Sequence, residues 1–339
     1  MADRITPRRG QSVLRADEET LRAIRYPGSL YRRGGDRIFT YVVVLLGCSI
    51  MGLAGIMAWI LYRDSALTFR TFGLLNFLSE TRWDPVVGIH GTLPFIIGTL
   101  STSAFALLLA VPIGVGCAIF SAEYAPRPLA TVINYLIDLL AAIPSVVIGL
   151  WAIFTFAPWI RQAVYMPIYR WAGASAPWLQ PVLGSPTTYN MTSATLLLAL
   201  MIVPYTMALT RDAIKLVPAE QREAAWGIGA THWEVLRVAV LPAARGGIVA
   251  GALLSLARAL GETMVVAMIV GNANRLPFLP FRPGATMPSV IVNEFREAVE
   301  TLHFTSVMAI GFVLFLLTLS INLAAAYLQG KLIKGSFRL

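Results

Sequence analysis

The sequence predicts an all-α integral membrane protein with about six transmembrane helices, and three observations carry that expectation. The 339 residues are 57% hydrophobic and only 13% charged, where a soluble domain carries about 25% charge; the mean hydropathy is +0.68. Six apolar runs, near 38–62, 95–120, 129–156, 190–211, 246–272 and 304–328, approach or exceed the roughly 20 residues a spanning helix needs. The basic residues gather beside those runs, as topology signals do.

The elements follow in order. Residues 1–37 form an Arg-rich tail with one short helical pattern at about Ala16–Arg25. Residues 38–94 supply the first span, too long for a signal-peptide core, and an outer loop. Residues 95–328 form the core, five spans with a polar loop at 212–245 between spans four and five, and 329–339 make a short tail. Even parity puts both termini on one side. That side collects 18 of the 27 basic residues and the other eight, with Arg258 inside a span. The bias predicts cytoplasmic termini and a cytoplasmic polar loop.

Charge alone could suggest nucleic acid, since the formal net charge is +9. The distribution beside spans points to membrane lipid instead, and nucleic acid is not expected as a partner. Cys48 and Cys117 fall in apolar runs, so no disulfide framework is expected. His90, His232 and His303 are far apart in sequence and match no metal spacing; no metal and no cofactor are expected. The outer residues Trp159, Trp171 and Trp178, among prolines, suit short interfacial segments. Asn190-Met-Thr192 fits a glycosylation sequon, read as a chance match.

The polar loop reads as two short helices around a sharp turn. Pro218 and Glu220 suit a helix start. Gly227 or Gly229 can end it with positive φ, and Thr231-His-Trp-Glu234 fits a capping box opening a second helix. Pro242 is expected at the junction with span five. Such an object is either a helical connector or a compact knuckle that fits a groove on another protein.

Span five carries Arg258 and Glu262, four apart and expected on one helical face. Charges at membrane depth face protein or water. They either glue two helices or line a polar pathway, in which the arginine fork suits an oxyanion. A carboxylate beside it can accept a hydrogen bond from hydrogen phosphate but not from sulfate. Gly247, Gly251, Ser255 and Ala259 form a small-residue stripe suited to close helix packing. Ala142-Ile-Pro-Ser145 is expected to be a tolerated kink, the other reading being a functional break in span three whose freed backbone groups line a cavity, and a solvated role is expected for Glu123.

Glu223-Ala224-Ala225, three residues, Gly229, nine residues, then Ala239-Val240-Leu241-Pro242 resembles the EAA loop of ATP-binding-cassette importer permeases, departing only at Ala239 where the pattern has isoleucine. The resemblance implies the type I importer permease fold, with the loop as coupling helix and Glu223, Ala224, Ala225, Gly229, Leu241 and Pro242 docking the ATPase. Arg258-Ala-Leu-Gly-Glu-Thr-Met264 resembles the phosphate-importer permeases of C type. So do Leu108–Gly114 with Ala122–Ala125, Ala142–Val147 and Ser289–Phe295. For these the resemblance implies an inner-membrane phosphate importer with Arg258 and Glu262 in the translocation pathway. Its implied partners are two ATPase subunits, an A-type sister permease and an extracytoplasmic phosphate-binding protein. A permease for sulfate or molybdate, or the A-type subunit, are the alternatives within the class. The chain has no P-loop, since none of its three lysines sits in a Gly-Lys-Ser/Thr context. An intramembrane enzyme would need a motif such as HExxH or GxSxG, and neither occurs. A stand-alone channel would have no use for a docking loop. The expected role is transport, without catalysis by this chain.

Overall fold

The computed structural model describes residues 33–336; the pattern expected at Ala16–Arg25 lies outside the described residues. Contacts divide the chain into a unit ending at Trp59 and a unit from Ile60 onward. The described part of the first unit belongs to α1, Arg33–Asp64, whose apolar side chains from Ile38 to Trp59 are largely exposed.

The second unit holds the remaining elements. After α2 (Ala66–Phe72) and α3 (Leu74–Ser79), a two-residue hairpin pairs Trp83 with His90 and Asp84 with Ile89. The long helix α4 (Leu93–Ile119) ends in a π-helical turn, Phe120–Tyr124. Then come α5 (Arg127–Ala142), α6 (Ser145–Trp151), α7 (Ala157–Ile160), α8 (Met166–Ser175) and α9 (Leu179–Leu183). The centre is α10 (Met191–Lys215), followed by α11 (Ala219–Gly227), α12 (His232–Val235) and α13 (Leu241–Gly261). The chain closes with α14 (Met264–Ile269), α15 (Met287–Glu294) and α16 (Thr301–Ser336).

Six helical runs among the described residues are long and apolar enough to cross a membrane: Arg37–Asp64, Leu93–Tyr124, Ser145–Ser175, Met191–Lys215, His232–Gly261 and Thr301–Lys331. Two differ from expectation. The third is not 129–156. The chain breaks rather than kinks at Ile143-Pro144, where both residues are extended, with ψ of 127° and 136°. The residue before a proline avoids the helical region, so α5 stops at Ala142. Its 16 residues span about 24 Å, short of the roughly 30 Å hydrocarbon core. It is amphipathic: Ala130, Ile133, Asn134, Ile137 and Ala141 turn inward on one face.

The fifth span begins earlier than 246 and ends earlier than 272. Pro242 is not a junction; it sits at the start of α13, directly after a π-helical turn, Leu236–Val240. Pro158 and Pro167 occupy the same place in α7 and α8, after the π-turns Ala152–Phe156 and Arg161–Tyr165. A proline lacks the amide donor and its ring crowds the carbonyl one turn back. A widened turn before it relieves that conflict, so the helix continues. Trp159 and Trp171 therefore lie on the third span rather than in an outer loop.

The bundle closes on α10, which packs against α4 and α13 through small residues. A Cβ on Gly114 would meet the Thr206 side chain at 2.8 Å, and one on Gly247 would meet the Ala213 Cβ at 2.2 Å. Ser255 Oγ and Thr206 Oγ1, both buried, share a hydrogen bond of 2.7 Å. The small-residue stripe of span five thus lies on α10. Asn190 caps α10, its Oδ1 accepting from the Ser193 amide at 2.8 Å, and is fully buried, which removes it as a glycosylation acceptor.

Opposite the polar loop, two histidines distant in sequence converge. The rings of His90 and His303 lie 6.0 Å apart, and Trp83 stands edge-on to His90 at 5.1 Å. His303 Nε2 meets Glu294 Oε2 at 2.9 Å, whereas neither ring nitrogen of buried His90 makes a well-formed hydrogen bond. Burial pushes the His90 pKa down and His303 adds to this, against weaker opposing effects of the Gly88 carbonyl, Glu300 and Glu294. The unfolded chain therefore takes up the proton first, and this contribution to stability, present above about pH 6.5, is lost as the pH falls. Thermal unfolding of the solubilised chain is expected to show that loss at mildly acidic pH. His90→Phe should flatten it; an unchanged pH slope in the variant would exclude His90 as its source.

Candidate functional site

The polar loop folds as a knuckle. Pro218 is the N-cap of α11, extended at ψ 143°, and Glu220 lies in the first turn, where a carboxylate complements the helix dipole. Gly229 turns the chain with φ +85°, a conformation that favours glycine, while Gly227 stays helical. Thr231 then caps α12 in a complete capping box: its side chain accepts from the Glu234 amide, and Glu234 Oε2 accepts from the Thr231 amide at 2.7 Å. From α12 the helix runs through the π-turn into α13, so the knuckle and span five are one continuous helix.

The inner face of the knuckle is apolar. Ile214, Val217, Val235, Leu236, Val240 and Ala244 form a buried cluster. Ala225 and Leu241 pack against it, and so does Ala239, where the family pattern has isoleucine. Glu223, Ala224, Gly229 and Pro242 are exposed. The six motif residues thus divide into two anchors that hold the knuckle on the bundle and four that face outward. Three large apolar side chains that sequence reading did not single out share the outer surface: Trp226 is 48% exposed, Ile228 88% and Trp233 58%. The available signal was three large apolar residues within a polar loop, around its turn glycine.

A polar tie between residues distant in sequence also holds the knuckle. Arg222 Nη1 donates to Glu123 Oε1 at 2.7 Å, and Nη2 donates to the Ile214 carbonyl at 2.8 Å. Glu123 is therefore not a solvated residue at the membrane edge; its side chain is 8% exposed and ion-paired. The neighbouring Tyr124 ring stands edge-on to His232, with centroids 4.8 Å apart.

Arg258 and Glu262 are not on one helical face. The helix ends at Gly261, and Glu262 is extended, with ψ 119°. Thr263 Oγ1 donates to the Gly261 carbonyl at 3.1 Å, and Glu262 Oε1 accepts from the Val265 amide at 3.5 Å. These bonds occupy groups freed by the break between α13 and α14. Arg258 is exposed, as is Asp138 on α5. The Arg258 guanidinium carbon lies 4.2 Å from the centre of the Tyr205 ring, a cation–π contact. Among the described residues no ion pair joins Arg258 to Glu262. Half-buried Glu262 borders a narrow cleft with Thr99, Thr102, Ser103 and Thr286. The Ser103 hydroxyl is buried there without a hydrogen-bond partner.

Residues 110–334 match the family described as binding-protein-dependent transport system inner membrane component. The phosphate transport system permease protein PstC of Mesorhizobium japonicum is 40% identical over 294 residues, covering 86% of this chain and 89% of that protein. The PstC of Pasteurella multocida is 39% identical over 300 residues, covering 88% and 91%. The PstC 2 of Mycobacterium tuberculosis is 34% identical over 314 residues, covering 89% and 94%. Among solved structures, a bacterial ABC transporter involved in the import of the acidic polysaccharide alginate superposes with a TM-score of 0.53 at 15% identity, covering 95% of this chain and 98% of that one. An inward facing form of the MetNI methionine ABC transporter gives 0.50 at 16% identity, covering 69% and 93%. These structures share the fold, that of a type I ABC importer permease. By the match over 110–334, the chain belongs to the family of inner membrane components of binding-protein-dependent transport systems.

Proposed function

We propose that this chain is a permease subunit of an ATP-driven importer of inorganic phosphate, forming half of the translocation pathway and taking its energy from a separate ATPase. The knuckle carries the reading. Its inner face is pinned to the bundle, while its outer face presents Trp226, Ile228 and Trp233 around Gly229. Exposed apolar side chains grouped on a polar loop mark a protein-docking surface. Two ATPase subunits, an A-type sister permease and an extracytoplasmic phosphate-binding protein complete the assembly. The chain is a multi-pass inner-membrane protein with both termini in the cytoplasm, as the distribution of basic residues favours. Phosphate as cargo is supported by the names of the relatives and by the Arg258–Met264 segment.

Arg258 and Glu262 serve the pathway in different ways. An exposed guanidinium at membrane depth requires protein or water against it, and the face bearing Arg258 and Tyr205 suits a passage shared with the sister permease. Glu262 sits at the break between two helical segments, the arrangement that discontinuous membrane helices use at transport sites. Its carboxylate accepts a hydrogen bond from hydrogen phosphate, which sulfate cannot offer.

The test is uptake into vesicles holding the full complex. Glu262→Gln is expected to lower phosphate uptake by about tenfold or more, the equivalent of one hydrogen bond to a charged group, and to narrow the preference over sulfate. Arg258→Ala is expected to lower uptake at least as much, with ATPase association intact. Unchanged flux and unchanged anion preference in Glu262→Gln would remove its role. Hydrolysis stimulated by sulfate rather than phosphate would reassign the cargo.

A further inference from the structure

The knuckle must pass movement to the bundle, and its two connections differ in kind. Through α12 it is one continuous helix with α13. At α11 it has no such continuity: Leu216 to Pro218 intervene before the helix begins, and the cluster beneath is apolar, with non-directional contacts. Arg222 supplies what is missing there. One guanidinium bonds Glu123, on the π-turn that ends α4, and the Ile214 carbonyl, near the end of α10. A planar fork with two partners resists sliding and rotation in a way that apolar contacts do not. The pair is mostly shielded from water, with side-chain exposures of 20% for Arg222 and 8% for Glu123, so it is screened less than a surface pair.

From this geometry we infer that the Arg222–Glu123 pair is a strut that transmits motion of the docked knuckle to α4 and α10, the helices packed on the charged span break. Arg222 is a positioning residue: it faces the bundle, where the docking side chains face outward. The inference rests on the permease reading above.

The experiment uses the complete complex reconstituted in vesicles, with phosphate-loaded binding protein outside the permease and ATP supplied to the ATPase. Uptake per ATP hydrolysed, stimulation of hydrolysis by the loaded binding protein, and co-purification of the ATPase are measured together. In Arg222→Gln the ATPase is expected to co-purify normally, while uptake per ATP falls about tenfold or more and stimulation is lost. Arg222→Lys keeps the pairing charge without the planar fork and should lie between the two. Combining Glu123→Arg with Arg222→Glu should recover several-fold more coupling than either single change, because the ion pair is restored in reverse. Wild-type coupling in an assembled Arg222→Gln complex would overturn the strut. Failure of Arg222→Gln and of the reversed pair to bind the ATPase would also overturn it, by assigning Arg222 to the docking surface or to folding. A wild-type complex that takes up no phosphate would instead overturn the functional reading, and the strut with it.

Discussion

Replacing Ile228 by aspartate is expected to remove ATPase association while the permease itself stays folded. The side chain is 88% exposed and lies outside the buried cluster that seats the knuckle. Its removal therefore costs the isolated chain little, as surface changes away from caps and buried networks generally do. In a docked complex the same position, between Trp226 and Trp233 in sequence, would be desolvated. Apolar and aromatic anchors of this sort cost about 2 kcal/mol or more each when lost, and a carboxylate in their place adds an unpaired buried charge. Affinity is thus expected to fall by about thirtyfold or more. The check is titration of the ATPase subunit onto the purified permease, with thermal stability of the permease measured in parallel. Undiminished affinity would show that the knuckle docks by another face. A loss accompanied by lowered stability would trace the effect to folding instead.

Gly98→Val is expected to abolish accumulation of the chain in the membrane. A Cβ at Gly98 would come within 2.0 Å of the Ala285 carbonyl oxygen and 3.1 Å of its carbon. Both contacts are backbone, so no flexible side-chain end can move aside. The segment they belong to is held from two directions. Thr99 Oγ1 accepts from the Met287 amide at 2.9 Å, and Thr286 caps α15 in a complete capping box. Separating α4 from residues 285–287 would break that bond and open the cluster of Phe77, Phe95, Met287 and Ile310. Overpacking alone typically costs about 1–3 kcal/mol. Here an orphaned buried amide adds about 1–3 kcal/mol more, against a total stability of order 5–15 kcal/mol for a typical protein. Gly116→Ala on the same helix is the control, because nothing lies within 4 Å of its Cβ position. Equal membrane levels of Gly98→Val and Gly116→Ala would refute the close approach.

The sequence by itself determined the features that depend on local pattern. Six apolar runs imply six spanning helices because a backbone in lipid must satisfy its own hydrogen bonds. The spacing of Glu223, Gly229 and Thr231 was enough for the knuckle, since a positive-φ glycine and a capping box are made within a few residues. Other features required the tertiary structure. The Arg222–Glu123 pair closes across 99 residues, and no periodicity marks it. The convergence of His90 with His303 likewise has no local signature. The chemistry of proline suggests a junction at Pro242 and an outer loop around Pro158 and Pro167; the π-turns before them depend on how the helix is packed and keep the spans continuous. The separation of Arg258 from Glu262 was also hidden. Four-residue spacing implies one helical face only while the helix continues, and Gly261 ends it. Local chemistry thus set the number of long apolar helices and the form of the polar knuckle, whereas long-range packing decided the bounds of the third and fifth spans and which charges meet.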